Sequence, residues 1–454
     1  MRKLSQEEKV TYMTTEKVPK LICSLAVPTI ISMLVTTFYN MVDTFFVGKI
    51  NNQATAAVGV VFSVMTLIQA IGFFFGHGSG NYISRKMGER DYESAEKMAS
   101  FSFFMCFFAG ILVTVIGLIF MRPIAIWLGS TSTILPYTLD YMGIILLGAP
   151  FIMSSFVLNN QLRYQGSANY AMVAIVIGAI INIGLDPLLM FVCNLGIKGA
   201  AYATILSQIA SFILLIVVSN KGENIHISFK KVELKFLYMK EIIRGGSPSL
   251  FRQGLVSIAS IILNNIAAGF SDATVAAMSV VSRITMFANS TLIGFGQGYQ
   301  PVCGMNYGAK LFKRVREGFW FCVKYSFVFL IVMSVLAYIF APWLVGLFRD
   351  DGEVIEIGTR ILRYQCLVFP LSSVIVLTNM MLQSTGKGIW ATIVASARQG
   401  FFFIPTVIIM SNLFGLKGLE RLRCEIPELS VSGQAPEGPH PHADHRPCQP
   451  CGRG

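Results

Sequence analysis

Three short stretches hold the polar residues on which chemistry could rest. Tyr39, Asn40 and Asp43 stand at i, i+1 and i+4 within an apolar run. As a helix this run puts Tyr39 and Asp43 on one face with Asn40 beside them. Asn182 and Asp186 are also four apart, and Pro187 follows at once. That proline cannot donate to the carbonyl of Ile183 and disfavours helical geometry at Asp186, so a kinked helix with a freed carbonyl is predicted there. Thr204, in the next apolar run, adds a hydroxyl. Carboxylates, an amide, a freed carbonyl and a hydroxyl are oxygen groups suited to a proton or Na⁺, and a carboxylate taken out of water is biased towards its neutral form. Each acid alone also has a plainer reading. Asp43 would then reach the headgroups from the end of its span, and Asp186-Pro187 would simply break a helix before a loop. Together, in the outer half of the same bundle, they point to ion coupling.

An ionisable group at the bilayer centre costs roughly 2.5 to 3.5 kcal/mol on insertion scales, so its position carries information. Arg252, Arg283, Arg360, Arg363 and Arg398 lie in or at the edges of later apolar runs, and no acid occupies a clear counterpart of Asp43 or Asp186 there. Ion coupling is therefore expected in the first half alone, the second mainly shaping a cavity. For Arg360 and Arg363 snorkelling to lipid phosphates is the simpler reading. No nucleophilic triad or phosphate-binding glycine loop is present, and no enzyme is expected. His440, His442, His445, Cys448 and Cys451 have spacings a metal could use but no fold around them, so no metal site is assigned. Cys23, Cys106, Cys193, Cys303, Cys322 and Cys366 read as small packing residues in or near spans.

The elements that must position these groups are membrane helices. The chain is 54% hydrophobic and 13% charged, about half the charge of a soluble domain. Apolar runs long enough to cross a core of about 30 Å as helix fall near 18–47, 54–82, 95–121, 134–158, 168–192 and 197–219, then 241–270, 274–302, 317–341, 357–382 and 389–413. The net charge of +12 is topological rather than a nucleic-acid signal. Lys and Arg gather in the N-terminus, after the second span, in the central linker and after the eighth span, and the intervening connections hold one apiece or none. The positive-inside rule then makes the N-terminus and the linker cytoplasmic, in a multi-pass protein of the cell membrane.

The two sets of spans are copies of each other. At an offset of 219 or 220 residues, Pro28 falls on Pro248, Pro123 on Pro342 and Pro150 on Pro370; Gly76 and Gly78 fall on Gly296 and Gly298, Gly88 on Gly308, Asn159 on Asn379 and Gly166 on Gly386. An even number of spans separates equivalent points, so both copies enter the membrane in the same sense. Parallel repeats of this kind are a transporter architecture, with a substrate path between bundles that rock against each other. The predicted organisation is a cytoplasmic N-terminus (1–17), a six-helix bundle (18–220), a cytoplasmic linker (221–240), a five-helix bundle (241–419) and a tail (420–454). Pro28, Pro187 and Pro248 are the expected hinges. Met33, Tyr39, Asn40, Met278, Met286 and Phe287 are the expected cavity residues, since thioethers and rings repack around varied shapes.

Past Gly418 the second half should continue into a twelfth span, but the sequence turns to Pro, Gly, Arg, His and Cys. This composition suits a disordered tail, read in a shifted frame or left by a fusion, and the twelfth helix is expected to be missing. Its loss is expected to lower stability and to weaken or abolish transport.

Asp43-Thr-Phe-Phe-Val-Gly, Asn182 with Asp186-Pro187, Gly199-Ala-Ala-Tyr-Ala-Thr204, and Gln297 followed by Pro301 and Asn306-Tyr-Gly-Ala309 resemble the multidrug and toxic compound extrusion (MATE) transporters, most of all their MepA-like prokaryotic branch. The resemblance covers residues 18 to about 419. It implies an all-α fold of two pseudo-symmetric bundles, here six helices and five, and export of cationic or amphiphilic compounds in exchange for H⁺ or Na⁺ by alternating access. It also implies that Asp43, Asn182, Asp186 and Thr204 form the ion site. Small amphiphilic molecules and membrane lipids are then the partners of a monomer without cofactors. Two other readings stay open: a lipid-linked oligosaccharide flippase of the same superfamily, whose arginines would hold pyrophosphate, and a non-transporting membrane scaffold.

Overall fold

A computed structural model describes residues 5–220, 224–268, 272–348, 351–397 and 405. Among them every regular element is helical. The helices are α1 (Gln6–Thr15), α2 (Val18–Gly48), α3 (Asn52–Gly88), α4 (Tyr92–Ile119), α5 (Met121–Trp127), α6 (Leu135–Tyr164), α7 (Ala168–Pro187) and α8 (Ile197–Asn220), followed by α9 (Phe236–Ala268), α10 (Asp272–Gly308), α11 (Phe312–Ile339), α12 (Ala341–Gly346), α13 (Gly352–Val368), α14 (Ser372–Ser384) and α15 (Gly388–Ser396). Eight membrane-length apolar spans occur among the described residues. The chain is a multi-pass membrane protein. Helices α9 and α10, of 33 and 37 residues, also exceed the roughly 20 residues a crossing needs. Arg398, the end of the eleventh span, the twelfth-span position and the His/Cys-rich tail lie outside the described residues.

The duplication is legible in local geometry. Arg90 and Lys310, 220 positions apart, both take left-handed backbone (φ 61° and 62°) just after α3 and α10. Gly166 and Gly386 do the same (φ 80° and 77°) in the turns after α6 and α14. Beside those turns, Asn159 and Asn379 each donate a side-chain hydrogen bond to the carbonyl twelve residues on, at Ala171 and Ala391. Equal sequence offsets have produced equal turns.

Prolines act differently in the two copies. Helix α2 continues through Pro28 and α9 through Pro248. Helix α6 continues through Pro150, whereas its counterpart Pro370 lies in a 3-10 turn, Phe369–Leu371, that divides the expected tenth span into α13 and α14. The hydroxyls of Ser372 and Ser373 donate to the carbonyls of Phe369 and Pro370 at 2.6 and 2.7 Å, satisfying the groups the break exposes. At Pro187 the helix does not stop but passes into a π-helical turn, Leu188–Val192.

The halves meet along α2 with α10 and α3 with α9, pairs related by the duplication, and along α3 with α10. Backbones come close at the end that carries the N-terminus and the linker. A Cβ on Gly88 would lie 2.1 Å from the Met305 carbonyl oxygen, and one on Gly308 would lie 2.0 Å from that of Arg85. At this linker end Arg85 pairs with Glu241 at 2.8 Å across the halves. Helix α1, begun by a Ser5/Glu8 capping box, straps the same end. Its Lys9 donates to Asn224 and Ser167, and the Met13 carbonyl accepts from Asn306.

Candidate functional site

Helix α2 packs on α7, α7 on α8, and α6 on α8. The apolar faces that drive this packing bring the polar residues of four helices together. Asp186 and Asn182, one turn apart on α7, are 0% and 2% exposed, and the Asn182 amide donates to the Asp186 carboxylate at 3.4 Å. Asp43 on α2 is half-buried and within electrostatic range of Asp186. Thr204 on α8 is buried, next to Tyr141 of α6. Tyr39, half-buried, lies near Asp43 and Gln208.

Four of these oxygens have no hydrogen-bond partner among the described residues: Asp43 Oδ1, Asp186 Oδ2, Asn182 Oδ1 and the Tyr141 hydroxyl. Neither acid forms an ion pair with a described Lys, Arg or His, although ion pairs are frequent at the linker end. Buried polar atoms are ordinarily satisfied, so a cluster of unused lone pairs among negative and neutral oxygens has the chemistry to accept a proton or a cation. The π-helical turn after Pro187 adds irregular backbone at its edge, a feature frequent at functional sites. Among the described residues no group of three or more His, Cys, Asp and Glu could hold a metal ion.

Most of the expected residues lie in this cluster or on α2 and α10, two of the helices along which the halves meet. Asp43, Asn182, Asp186 and Thr204 lie in or beside the cluster, with Tyr39 and Asn40 on the same stretch of α2. Met33 is half-buried on α2, one turn before Thr37, whose hydroxyl is hydrogen-bonded to Ser290 of α10 at 3.0 Å. Met286 and Phe287 are half-buried on α10. Met278 is 2% exposed and packs within the second half's own core with Val281, Ile357 and Ile361. Arg363 is half-buried, donates to the Tyr338 carbonyl and lies over the Tyr338 ring, and Arg360, exposed, lies 3.8 Å from Glu356 one turn earlier.

Two features were silent in the sequence. Tyr141 carries no spacing signal, because nothing in its apolar run marks the side of the helix it occupies. A buried polar layer crosses the halves at the linker end. His77 of α3 is hydrogen-bonded to Ser249 of α9 at 2.8 Å, Gln383 of α14 donates to Ser249, and Ser384 donates to Asn81 at 3.1 Å. Isolated Ser, Asn and Gln in apolar runs are too common to single out without the partner helix.

Comparison with known proteins places this geometry. The MatE family profile matches residues 28–188 and 248–409, one match in each half. The chain is similar to the multidrug export protein MepA of Staphylococcus haemolyticus, at 29% identity over 416 residues, 91% of this chain and 92% of that protein. MepA of Staphylococcus aureus is 28% identical with the same coverage. A solved outward-facing structure of a multidrug resistance MATE family transporter of the MOP superfamily superposes with a TM-score of 0.87 at 26% identity, over 95% of this chain and 96% of that one. A MOP superfamily transporter from Pyrococcus furiosus, described as having a binding pocket of reversed polarity, matches with the same TM-score, identity and coverage.

Proposed function

Because the chain belongs to the MatE family, we propose that it is a secondary active multidrug transporter of the cell membrane, exporting cationic or amphiphilic compounds in exchange for H⁺ or Na⁺. The observation that carries the coupling part is the group of buried oxygens with unused lone pairs on α2, α6 and α7. A second support is the similarity over nine-tenths of the length to proteins named for multidrug export.

The positive-inside pattern puts the linker end in the cytoplasm. The backbone contacts at Gly88 and Gly308 and the Arg85–Glu241 pair then close the path on the cytoplasmic side, which supports reading this arrangement as the outward-facing state. In that state Asp43 and Asp186 face the outer half. A proton or Na⁺ entering there neutralises one of two acids that share an apolar site, and so removes the repulsion between them. Helices α2 and α7, which carry the acids and Pro28 and Pro187, adjust together because they pack on each other. The cation that a drug presents no longer meets a matching charge and leaves. Return to the inward state separates α3 from α9 and exposes Met33, Tyr39, Met286 and Phe287 to the cytoplasm for the next amphiphile. One charge crossing 100 mV supplies about 2.3 kcal/mol, enough for about a fiftyfold gradient of a neutral compound. The six-helix and five-helix division of the chain and its monomeric state belong to the same proposal.

Ethidium efflux from cells expressing the chain tests this directly. Efflux that collapses when the proton and Na⁺ gradients are dissipated, and that Asp43→Asn or Asp186→Asn abolishes at normal expression, is the expected result. Intact coupled efflux in both variants would move the ion site elsewhere. Silence both from the well-expressed chain and from a version whose last 35 residues are replaced by a hydrophobic twelfth span would end the drug-export reading.

A further inference from the structure

A fully buried arginine stands at the linker end with no acid among the described residues paired with it. Arg163, in the last turn of α6, is 2% exposed. One of its nitrogens, Nη2, donates to the amide oxygen of Asn160 one turn back, and the guanidinium lies over the Tyr164 ring, 5.1 Å from its centroid. Its Nε and Nη1 have no hydrogen-bond partner among the described residues. A guanidinium cannot shed its proton to escape burial as an amine or imidazole can, so the charge stays. Leaving such a charge unpaired costs several kcal/mol. Glu241, a half-buried carboxylate at this end, is already engaged with Arg85 at 2.8 Å and Arg244 at 3.6 Å.

The surroundings are rich in donors and poor in acids. His77, 3% exposed, is hydrogen-bonded through Nδ1 to Ser249 across the two halves, while its Nε2 has no partner among the described residues. Its ring meets that of Tyr164 edge-on at 6.4 Å, and both Arg163 and Arg252 lie within electrostatic range of it. The duplication supplies an internal control. Position 383, the counterpart of 163, is a neutral glutamine whose amide donates to the Gly245 carbonyl and Ser249 hydroxyl at 2.9 Å and accepts from Gln300 at 3.2 Å. Gln383 itself is satisfied in one half, whereas its counterpart Arg163 keeps a positive charge and two nitrogens, Nε and Nη1, without an acceptor among the described residues.

We propose that Arg163 binds a small monovalent anion of the halide class, chloride in the cell, where the two halves close. Nε and Nη1 are the principal donors, and His77 is the neighbouring one. A single-atom anion suits the site better than a phosphate, because the donors left over are few, Nε and Nη1 of Arg163 and Nε2 of His77, and the four oxygens of a phosphate would need more. Water could satisfy the N–H groups but not the charge. Because His77 joins α3 to α9, an anion here couples the closed linker end to the anion content of the adjoining compartment.

The test needs no transport and so stands apart from the drug-export reading. Purified full-length protein in detergent is titrated with radiolabelled chloride at constant Na⁺, with gluconate as the replacing anion, and its thermal unfolding is followed in parallel. Saturable one-to-one binding is expected, with a Tm that rises with chloride but not with gluconate. Arg163→Gln, the residue that the other half uses, is expected to abolish both effects, and Arg163→Lys to weaken binding at least about tenfold while keeping it, since the fork is lost but not the charge. Absence of saturable binding to folded wild type overturns the proposal whatever the variants do. Undiminished binding in folded Arg163→Gln overturns it equally.

Discussion

Asp43 and Asp186 differ in what surrounds them, and that difference predicts their behaviour. Asp186 is fully buried and accepts from Asn182 through one oxygen, whereas Asp43 is half-buried; each keeps an oxygen without a partner among the described residues. Asp186→Asn is expected to abolish coupled efflux with little change in folding, since an amide keeps the shape and removes only the charge. Tyr141→Phe removes one hydroxyl from the cluster while the ring stays packed. It is expected to slow ion-coupled efflux several-fold rather than abolish it, as the loss of one hydrogen bond worth about 1 kcal/mol should. Steady-state efflux at matched expression checks both. The acids were legible in the sequence because carboxylates are rare in spans. Tyr141 was not, because its role depends on α6 turning that side towards α8.

Close backbone approach at the linker end is a property of paired helices, and its disruption belongs to that scale. Gly88 and Gly308 sit where any Cβ would collide with a carbonyl oxygen of the other half. Gly88→Ala or Gly308→Ala is expected to destabilise this closed arrangement by about 1 to 3 kcal/mol and to raise thiol-reagent access to a cysteine placed at Ser249. Helix α1 contributes at the same end through buried Val10 and Met13 and its ties to Ser167, Asn224 and Asn306. Deleting residues 1–15 is expected to lower Tm by at least about 2 °C, read by scanning fluorimetry. Along the linker, hydrogen bonds from Lys235 and Lys97 hold the Glu233 carboxyl below its usual range. A depressed carboxyl stabilises above its unfolded pKa of about 4.3 and loses that contribution as pH falls through its folded value. Proteolysis of the linker should therefore be unchanged near neutrality and rise in acid.

For the molecule as a whole, orientation decides which compartment each end samples. In a background with the tail cysteines Cys424, Cys448 and Cys451 replaced by serine, Cys193, exposed beyond α7 at the end opposite the linker, is expected to react with a membrane-impermeant maleimide in intact cells, and Cys193→Ser to remove that labelling. A cysteine placed at Ser228 should react only after permeabilisation. The opposite pattern would invert the topology and make the closed linker end the outer gate.

Membrane location, helical class and duplication were determined by the sequence alone. Hydropathy measures transfer into lipid directly, and a 220-residue offset survives in prolines and glycines such as Pro28 and Pro248 or Gly88 and Gly308 because backbone geometry requires them. The acids of the candidate ion site were visible for the same reason, cost. Only the tertiary structure decided which polar side chains meet. His77 finds Ser249 and Ser384 finds Asn81 from the other half of the chain, and Arg163 and Gln383, equal by sequence offset, end with different partners. Such contacts depend on helix rotation and packing angle, to which composition and spacing are blind. Pro150 and Pro370 share an offset but not their neighbours: serines follow Pro370 after one residue and Pro150 after three, and only beside Pro370 do their hydroxyls satisfy a 3-10 break.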